Sequence, residues 1–247
     1  MKELTPEIIY EDENIVAINK PAMLVVHSDG RKEEPTVAHW FLSKYPETLN
    51  IGEEIELSSG KKIIRPGIVH RIDRETSGIL LLAKNKIGFE CLKAQFKNRE
   101  IEKKYHLFVE GQIKEDRGTI NLPIGRSSTD FRKWSAQRGK RGVLRDAITY
   151  FEVIKRSPKF ETTFVEAKPK TGRTHQIRVH FQALQRPVVG DPLYGTKKIS
   201  SLGFKRLALH AREIRFKNVE GEEIHLTANY PEDFKKAMDI IGLDVLD

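Results

Sequence analysis

One cysteine, Cys91, stands in a chain of 247 residues. A single thiol excludes an intramolecular disulfide and any multi-cysteine zinc site. No apolar run approaches the roughly 18 residues that a membrane-spanning helix needs. The opening residues, Met1-Lys2-Glu3-Leu4-Thr5-Pro6, contain no apolar signal core, so secretion is not indicated. Gly-x-Ser-x-Gly and the phosphate loop Gly-x4-Gly-Lys-[Ser/Thr] are absent, and so is His-Glu-x-x-His. Internal repeats, low-complexity tracts and clear linkers are missing too. Acidic residues are the minority: 35 Asp and Glu face 43 Lys and Arg, which leaves a net charge of +8. Hydrophobic residues make up 38%, enough for a core, so wholesale disorder is excluded. The expectation is a cytoplasmic globular protein to which a polyanion is suited as partner.

The positive charge is unevenly placed. Between Arg126 and Arg145 lie seven basic residues (Arg126, Arg132, Lys133, Arg138, Lys140, Arg141 and Arg145) and one acid, Asp130. Phe131 and Trp134 are interleaved with them, and Ser127, Ser128, Gly139 and Gly142 argue against a continuous helix. This pattern reads as a long, mobile basic loop able to follow a phosphate backbone and stack on exposed bases. A solvated surface loop would have the same composition. Lys168, Lys170, Arg173 and Arg178 form a second run without an acid, whereas Glu11-Asp12-Glu13 and Glu220 to Glu223 are acidic.

Apolar patterning predicts interspersed strands and helices. Ile8 to Ile18 reads as a hairpin turning at Glu11-Asp12-Glu13-Asn14. Thr36 is placed to cap a helix carrying Val37, Trp40 and Phe41. Gly52 to Pro66 reads as a connection, Gly78 to Ala83 as a buried strand, and Phe89, Leu92 and Phe96 as a helix face. Strands are expected at Tyr105–Val109, Thr162–Ala167, Leu207–His210 and Glu223–Thr227. Ile177, His180, Phe181 and Leu184 mark a short helix, and Pro231 starts a last one with Phe234, Ala237, Met238 and Ile241 inward. Without strict alternation, this favours α+β with a mixed, mostly antiparallel sheet.

Two segments carry chemistry. In Gly67-Ile68-Val69-His70-Arg71-Ile72-Asp73-Arg74-Glu75-Thr76-Ser77-Gly78 a carboxylate lies among cations on entry to a buried strand. Such loops commonly hold functional side chains, although a surface Asp beside arginines is also an ordinary weak ion pair. In Lys170 to His180, Thr174, His175 and Gln176 crowd the first turn of a helix, where free N–H groups favour anions, and Arg178 is able to pair with a carboxylate. Gly190-Asp191-Pro192-Leu193-Tyr194-Gly195 reads as a turn.

These segments together resemble the RluA-type pseudouridine synthase family. The family signature His-Arg-Leu-Asp-x-x-Thr-Ser-Gly stands here as His70 to Gly78, with Ile72 in place of Leu. Its Lys-x-Tyr strand is matched by Lys103-Lys104-Tyr105, its Thr-Gly-Arg-x-His-Gln-Ile/Leu-Arg-x-His block by Thr171 to His180, and its Gly-Asp-x-x-Tyr-Gly turn by Gly190 to Gly195. Lys20-Pro21 matches the family's Lys-Pro-x-Gly, but Met23 replaces the glycine and puts that turn in question.

The resemblance implies a pseudouridine synthase-like fold, two lobes around a cleft. It also implies one catalytic domain over 1–247 (core about 8–230) without a separate N-terminal RNA-binding domain. The implied activity is isomerisation of uridine in ribosomal or transfer RNA. Asp73, Tyr105 and Arg178 are then catalytic, with Arg178 the cation beside Asp73. Arg71 enters the RNA in place of the everted uridine. His70, Thr76, Arg173, Thr174, His175, Gln176, Arg132, Lys133, Lys140 and Arg141 are candidates for binding RNA. No metal or nucleotide cofactor, no membrane and a monomer are expected. A non-catalytic RNA-binding module explains the charge but needs no Asp73, Tyr105 and Arg178 together. A metal-dependent hydrolase would have to draw ligands from His70 with Asp73 or His175 with His180, and isolated histidines are more often structural.

Overall fold

A computed structural model describes residues 4–28, 34–56, 62–137, 140–196 and 201–244. In chain order they form β1 (Glu7–Glu11), β2 (Ile15–Lys20), α1 (Val37–Lys44), β3 (Glu54–Glu56), β4 (Lys62–Ile64), β5 (Ser77–Ala83), α2 (Lys86–Asn98), β6 (Glu102–Glu110), β7 (Arg117–Asn121), β8 (Ile124–Ser127) and β9 (Trp134–Ser135). They continue with β10 (Lys140–Arg145), β11 (Ile148–Ser157), β12 (Thr162–Pro169), α3 (Gln176–Ala183), β13 (Leu209–Lys217), β14 (Glu223–Thr227) and α4 (Glu232–Ile240). The class is α+β, and its strands pair mostly antiparallel. Two compact units result: Met1–Glu102 with Ala211–Asn229, and Lys103–His210 with Tyr230–Asp247.

In the first unit the strand order is β1-β2-β5-β13, with β14 on β13. The β1–β2 turn closes because the Asp12 carboxylate accepts the N–H groups of Asn14 (2.7 Å) and Ile15 (2.6 Å). The strand β5 is buried along its whole length, which explains its unbroken apolar run. Ile15, Ala17, Ile79 and Leu81 share a core with Leu92 of α2 and with Ile214 and Phe216 of β13. Thr36 caps α1 as expected, accepting the His39 N–H at 3.1 Å.

In the second unit the order is β6-β12-β11-β7. Register aligns Tyr105, Ala167, Phe151 and Gly118 in one cross-strand row. Phe181 of α3 meets Phe151 edge-on at 5.8 Å, so α3 covers the face that carries Tyr105. The other face stacks Phe108 on Phe164 at 4.6 Å, with Phe234 of α4 against Phe108 at 5.7 Å. Four features differ from expectation. The basic segment is a three-stranded sheet, β10-β8-β9, and not a loop; Arg138 and Gly139 lie outside the described residues. Its turn residues are the corners of short strands. The strands β7 and β11 carry no prediction, and Gly52–Pro66 includes the small β3–β4 pair. Leu184 is exposed because α3 has already ended at Ala183.

Gly78, the last residue of the His70 to Gly78 segment, lies tight against Ala211 of β13. Its φ is +106°, and a Cβ there would lie 2.2 Å from the Ala211 carbonyl oxygen and 2.7 Å from the Ala211 nitrogen. Neither contact is with a flexible side chain. Gly78→Ala is expected to lower stability by about 3 kcal/mol or more, combining backbone strain with overpacking. Urea denaturation reads this directly, and a wild-type midpoint would contradict it.

Candidate active site

In the first unit, the segment entering β5 is tied down at several points. The Thr76 N–H donates to the Asp73 carbonyl at 3.1 Å, closing a turn over the carboxylate-bearing residue. The Lys20 ammonium, fully buried, donates to the carbonyls of Pro21 (2.8 Å), Leu24 (2.8 Å) and Arg74 (3.1 Å). An ammonium has three N–H groups, and three carbonyls receive them. Lys20 therefore joins the Lys-Pro turn to the peptide next to Asp73. The Met23 N–H adds a bond to the Arg74 carbonyl at 2.8 Å. Met23 adopts φ 72°, so the turn that a glycine would ease is made by methionine.

His70 holds the start of this segment against β5. Its Nε2 accepts the Leu81 N–H at 2.9 Å, and its ring stacks on Phe96 with centroids 4.4 Å apart. Arg71 is exposed and donates from Nη1 to His27 Nε2 at 3.2 Å. Arg74 pairs with Glu34. Asp73 is half-buried, and Thr76 and Ser77 are buried.

In the second unit, Arg178 is the organising cation. Its Nε and Nη2 donate to the two oxygens of Asp191 at 2.7 and 2.8 Å. The side chains are 5% and 0% exposed, so the pair is cut off from solvent. Asp191 Oδ1 also accepts the N–H groups of Leu193 (2.9 Å) and Tyr194 (3.0 Å). The guanidinium carbon sits 5.1 Å from the centre of the Tyr194 ring. The Tyr194 hydroxyl accepts the Trp134 N–H at 2.9 Å and shares a bond with His175 Nδ1 at 2.9 Å. This turn requires Gly190, whose φ is +71° and whose added Cβ would meet the Arg206 carbonyl oxygen at 2.1 Å.

Gln176 and His180 serve the interior. The Gln176 amide donates to the Ile148 carbonyl (2.9 Å) and Thr149 Oγ1 (3.0 Å), and its Oε1 accepts from Thr171 Oγ1 (2.6 Å) and the Arg173 N–H (3.0 Å). All four bonding positions of that amide are occupied within the protein. His180 Nε2 donates to the Leu122 carbonyl at 3.0 Å, which leaves Nδ1 to accept from Thr149 Oγ1 at 2.9 Å. Arg173 Nε donates to the Asp146 carbonyl at 3.0 Å, His175 takes φ 56° at the helix start, and Thr174 is exposed. Tyr105, half-buried on β6, lies on the face that α3 covers.

Of the RNA-binding candidates in the basic segment, Arg132 and Lys133 sit in the β8–β9 turn, while Lys140 and Arg141 pair with Ser127 and Arg126 on β8. Asp191 is the residue that sequence reasoning passed over. A signal for it exists: the run from Lys168 to Arg178 has four cations and no acid, so a buried Arg178 must take its carboxylate from elsewhere. Among the described residues, no group of three or more His, Cys, Asp or Glu side chains is placed to hold a metal ion. No helix among them is long and apolar enough to cross a membrane.

Asp191→Asn keeps the shape and removes the charge to which the buried Arg178 guanidinium is doubly bonded. The expected loss is about 3 kcal/mol or more, read as a lower urea midpoint; a change under about 1 kcal/mol would mark the pair as unimportant. A second expectation concerns pH. Burial holds the His180 pKa below its ordinary 6.5, against the pull of the Leu122 carbonyl. The unfolded chain therefore takes up this proton first as pH falls, and stability declines as pH drops through about 6.5 toward the lower folded value. His180→Gln should flatten the slope of stability against pH between 7 and 5.5. A slope equal to that of the wild type would remove His180 from the account.

A family model described as RNA pseudouridylate synthase matches residues 14–183. The chain is 37% identical over 234 residues to an uncharacterized RNA pseudouridine synthase of Bacillus subtilis, covering 94% of this chain and 72% of that protein. It is 41% identical over 194 residues to an uncharacterized RNA pseudouridine synthase of Aquifex aeolicus, covering 78% of this chain and 57% of that protein. Identity to the ribosomal large subunit pseudouridine synthase D of Zymomonas mobilis is 34% over 244 residues, covering 95% and 72%. Among solved structures, human RNA pseudouridylate synthase domain containing 1 superposes with a TM-score of 0.72 at 27% identity, over 92% of this chain and 84% of that one.

Proposed function

Because the chain belongs to the RNA pseudouridylate synthase family, and is thus an isomerase acting on uridine in RNA, we propose that Asp73 carries its chemistry, with Tyr105 and Arg178 as partners. The observation that carries this reading is the signature His70 to Gly78 with its carboxylate on a turn bonded to the protein interior.

The reaction breaks the C1′–N1 bond of uridine, turns the uracil and joins C1′ to C5. The C5 proton leaves and N1 ends protonated, so atoms balance and no electrons are exchanged. No added cofactor is needed for that balance. A carboxylate has three ways to act: attack at C1′, attack on the base, or removal of a sugar proton. Each requires Asp73 ionised and shielded from water. We assign Arg178 as the cation that favours this state, with Asp191 fixing its orientation. Tyr105 stacks on the uracil, and its hydroxyl, protonated at neutral pH by the ordinary phenol pKa of ~10, takes the C5 proton only as it gives its own to a relay that ends at N1.

The uridine must leave its stack, at a cost of a few kcal/mol in a paired helix and less in a loop. Arg71, exposed at the start of the segment, fills the vacated position with its planar guanidinium. Arg173, Thr174 and His175 contact the RNA near the reacting nucleoside; Thr76, expected among the RNA contacts, is buried and, like His70 and Gln176, holds the elements that do so. Arg132, Lys133, Lys140 and Arg141 contact phosphates. The substrate is a structured ribosomal or transfer RNA, and the large-subunit name of the Zymomonas relative supports the ribosomal choice. The two units act as one catalytic domain of a monomer in the cytoplasm.

Asp73→Asn retains size and polarity and removes the charge. Isomerisation should fall by at least ~100-fold, with an unchanged thermal midpoint and RNA still bound. Tyr105→Phe should stop the reaction after the glycosidic bond is remade, with the C5 proton retained. Turnover is measured as pseudouridine in nuclease digests of the treated RNA. Wild-type turnover by Asp73→Asn would end the assignment.

A further inference from the structure

The small sheet β10-β8-β9 and its β8–β9 turn hold the two most exposed large apolar side chains among the described residues, Val143 of β10 at 80% and Phe131 of the turn at 77%. Leu144 is also exposed. Single exposed apolar residues are common on any surface, but two such extremes on one short sheet and its turn are not scattered.

Phe131 is held outward by its backbone. Ser127 Oγ accepts the N–H groups of Thr129 (3.2 Å) and Asp130 (3.4 Å). Asp130 accepts the Arg132 N–H at 2.9 Å and both Nε and Nη2 of its guanidinium, at 3.1 and 2.8 Å. The Phe131 carbonyl accepts from Arg126 Nη1 at 3.1 Å, and the Arg126 guanidinium lies 4.4 Å from the centre of the Trp134 ring. The turn is thus bonded at Ser127, Thr129, Asp130, Phe131 and Arg132, while the phenyl ring stays in water. A preorganised aromatic of this kind loses little conformational freedom on binding.

The surroundings decide what it binds. The core of a protein–protein patch is poor in charge, whereas here the exposed ring is flanked in the turn by Arg132 and Lys133, and Arg141 of β10 pairs with Arg126 of β8. A polyanion with flat apolar faces satisfies both features, and an unpaired nucleotide is such a ligand. We propose that Phe131 is a stacking site for an unpaired base of the RNA substrate, with the cations of β10 following the adjoining phosphates. The substrate therefore presents single-stranded nucleotides beyond the reacting uridine. This rests on the phosphate-contacting role given above to Arg132, Lys133, Lys140 and Arg141. Arg132, already paired with Asp130, contributes less to it than Arg141.

The test compares the full-length wild type with Phe131→Ala, Phe131→Leu and Phe131→Trp, using a uridine-rich single-stranded oligoribonucleotide and the fully paired duplex of the same sequence. Phe131→Ala should weaken single-strand binding about 5- to 100-fold, the worth of one lost base–aromatic stack. Duplex affinity should not change, and neither should the slope of log affinity against log salt, because no charge is removed. Arg141→Ala should instead lower that slope by about 1. Phe131→Trp should keep the affinity and show added fluorescence that RNA quenches. Single-strand affinity retained by Phe131→Ala, or fully restored by Phe131→Leu, would overturn the stacking site. Equal weakening toward the duplex, or a change in sedimentation of the free protein, would overturn it as well. If the wild type binds neither probe, the RNA-contacting role of these cations fails. Wild-type binding that Phe131→Ala leaves intact removes the stacking site alone.

Discussion

A solvent-free ion pair between Arg178 and Asp191 organises the second unit. Burying two charges is expensive, and the cost is offset only when geometry and further hydrogen bonds are good. Here both carboxylate oxygens take guanidinium nitrogens, and two backbone N–H groups join them. The result fixes α3 to the 190–195 turn. Tyr194, on the same turn, reaches His175 at the helix start and the Trp134 backbone at β9. One pair thereby links the helix that carries Gln176 to His180 to the sheet that carries the basic segment. A guanidinium held by two bonds has one orientation, which is what a site acting on a developing charge requires.

The first unit solves a related problem for Asp73. The carboxylate proposed above to carry the chemistry is presented from a chain that is tied down at several points. Lys20 reaches from the end of β2 to the peptide beside Asp73, Met23 adds a backbone bond to the same carbonyl, and His70 fastens the start of the segment to β5. Gly78 then lets β5 approach Ala211 closely. The side chains around the carboxylate serve different ends: Lys20 and His70 are tied inward, while Arg71 is exposed.

Much of this was legible in the residues, and the exceptions have physical causes. The cap at Thr36, the buried strand β5 and the inward face of α4 follow from local chemistry and periodicity, and all are observed. The strand β11 shows a readable alternation, with Thr149 and Phe151 buried between exposed Tyr150 and Glu152, but its later Lys155 and Arg156 obscure it. Short strands separated by Ser and Gly look like a loop until their partners are known, as at β8, β9 and β10. Gln176 and His180 are polar residues on a helix, and only the packing against Thr149, Thr171 and Leu122 reveals that they face inward. Asp191 was hidden for a similar reason: sequence shows a turn, whereas its partner lies 13 residues earlier on a helix.

This protein is an isomerase that rearranges uridine within RNA. The most direct measurement incubates the purified chain with RNA carrying tritium at C5 of its uridines, then follows tritium release alongside nucleoside analysis of the digest. Tritium should be released in step with pseudouridine, one for one, from strands of unchanged length. Free uracil, abasic sites or tritium retained in unaltered uridine would contradict it.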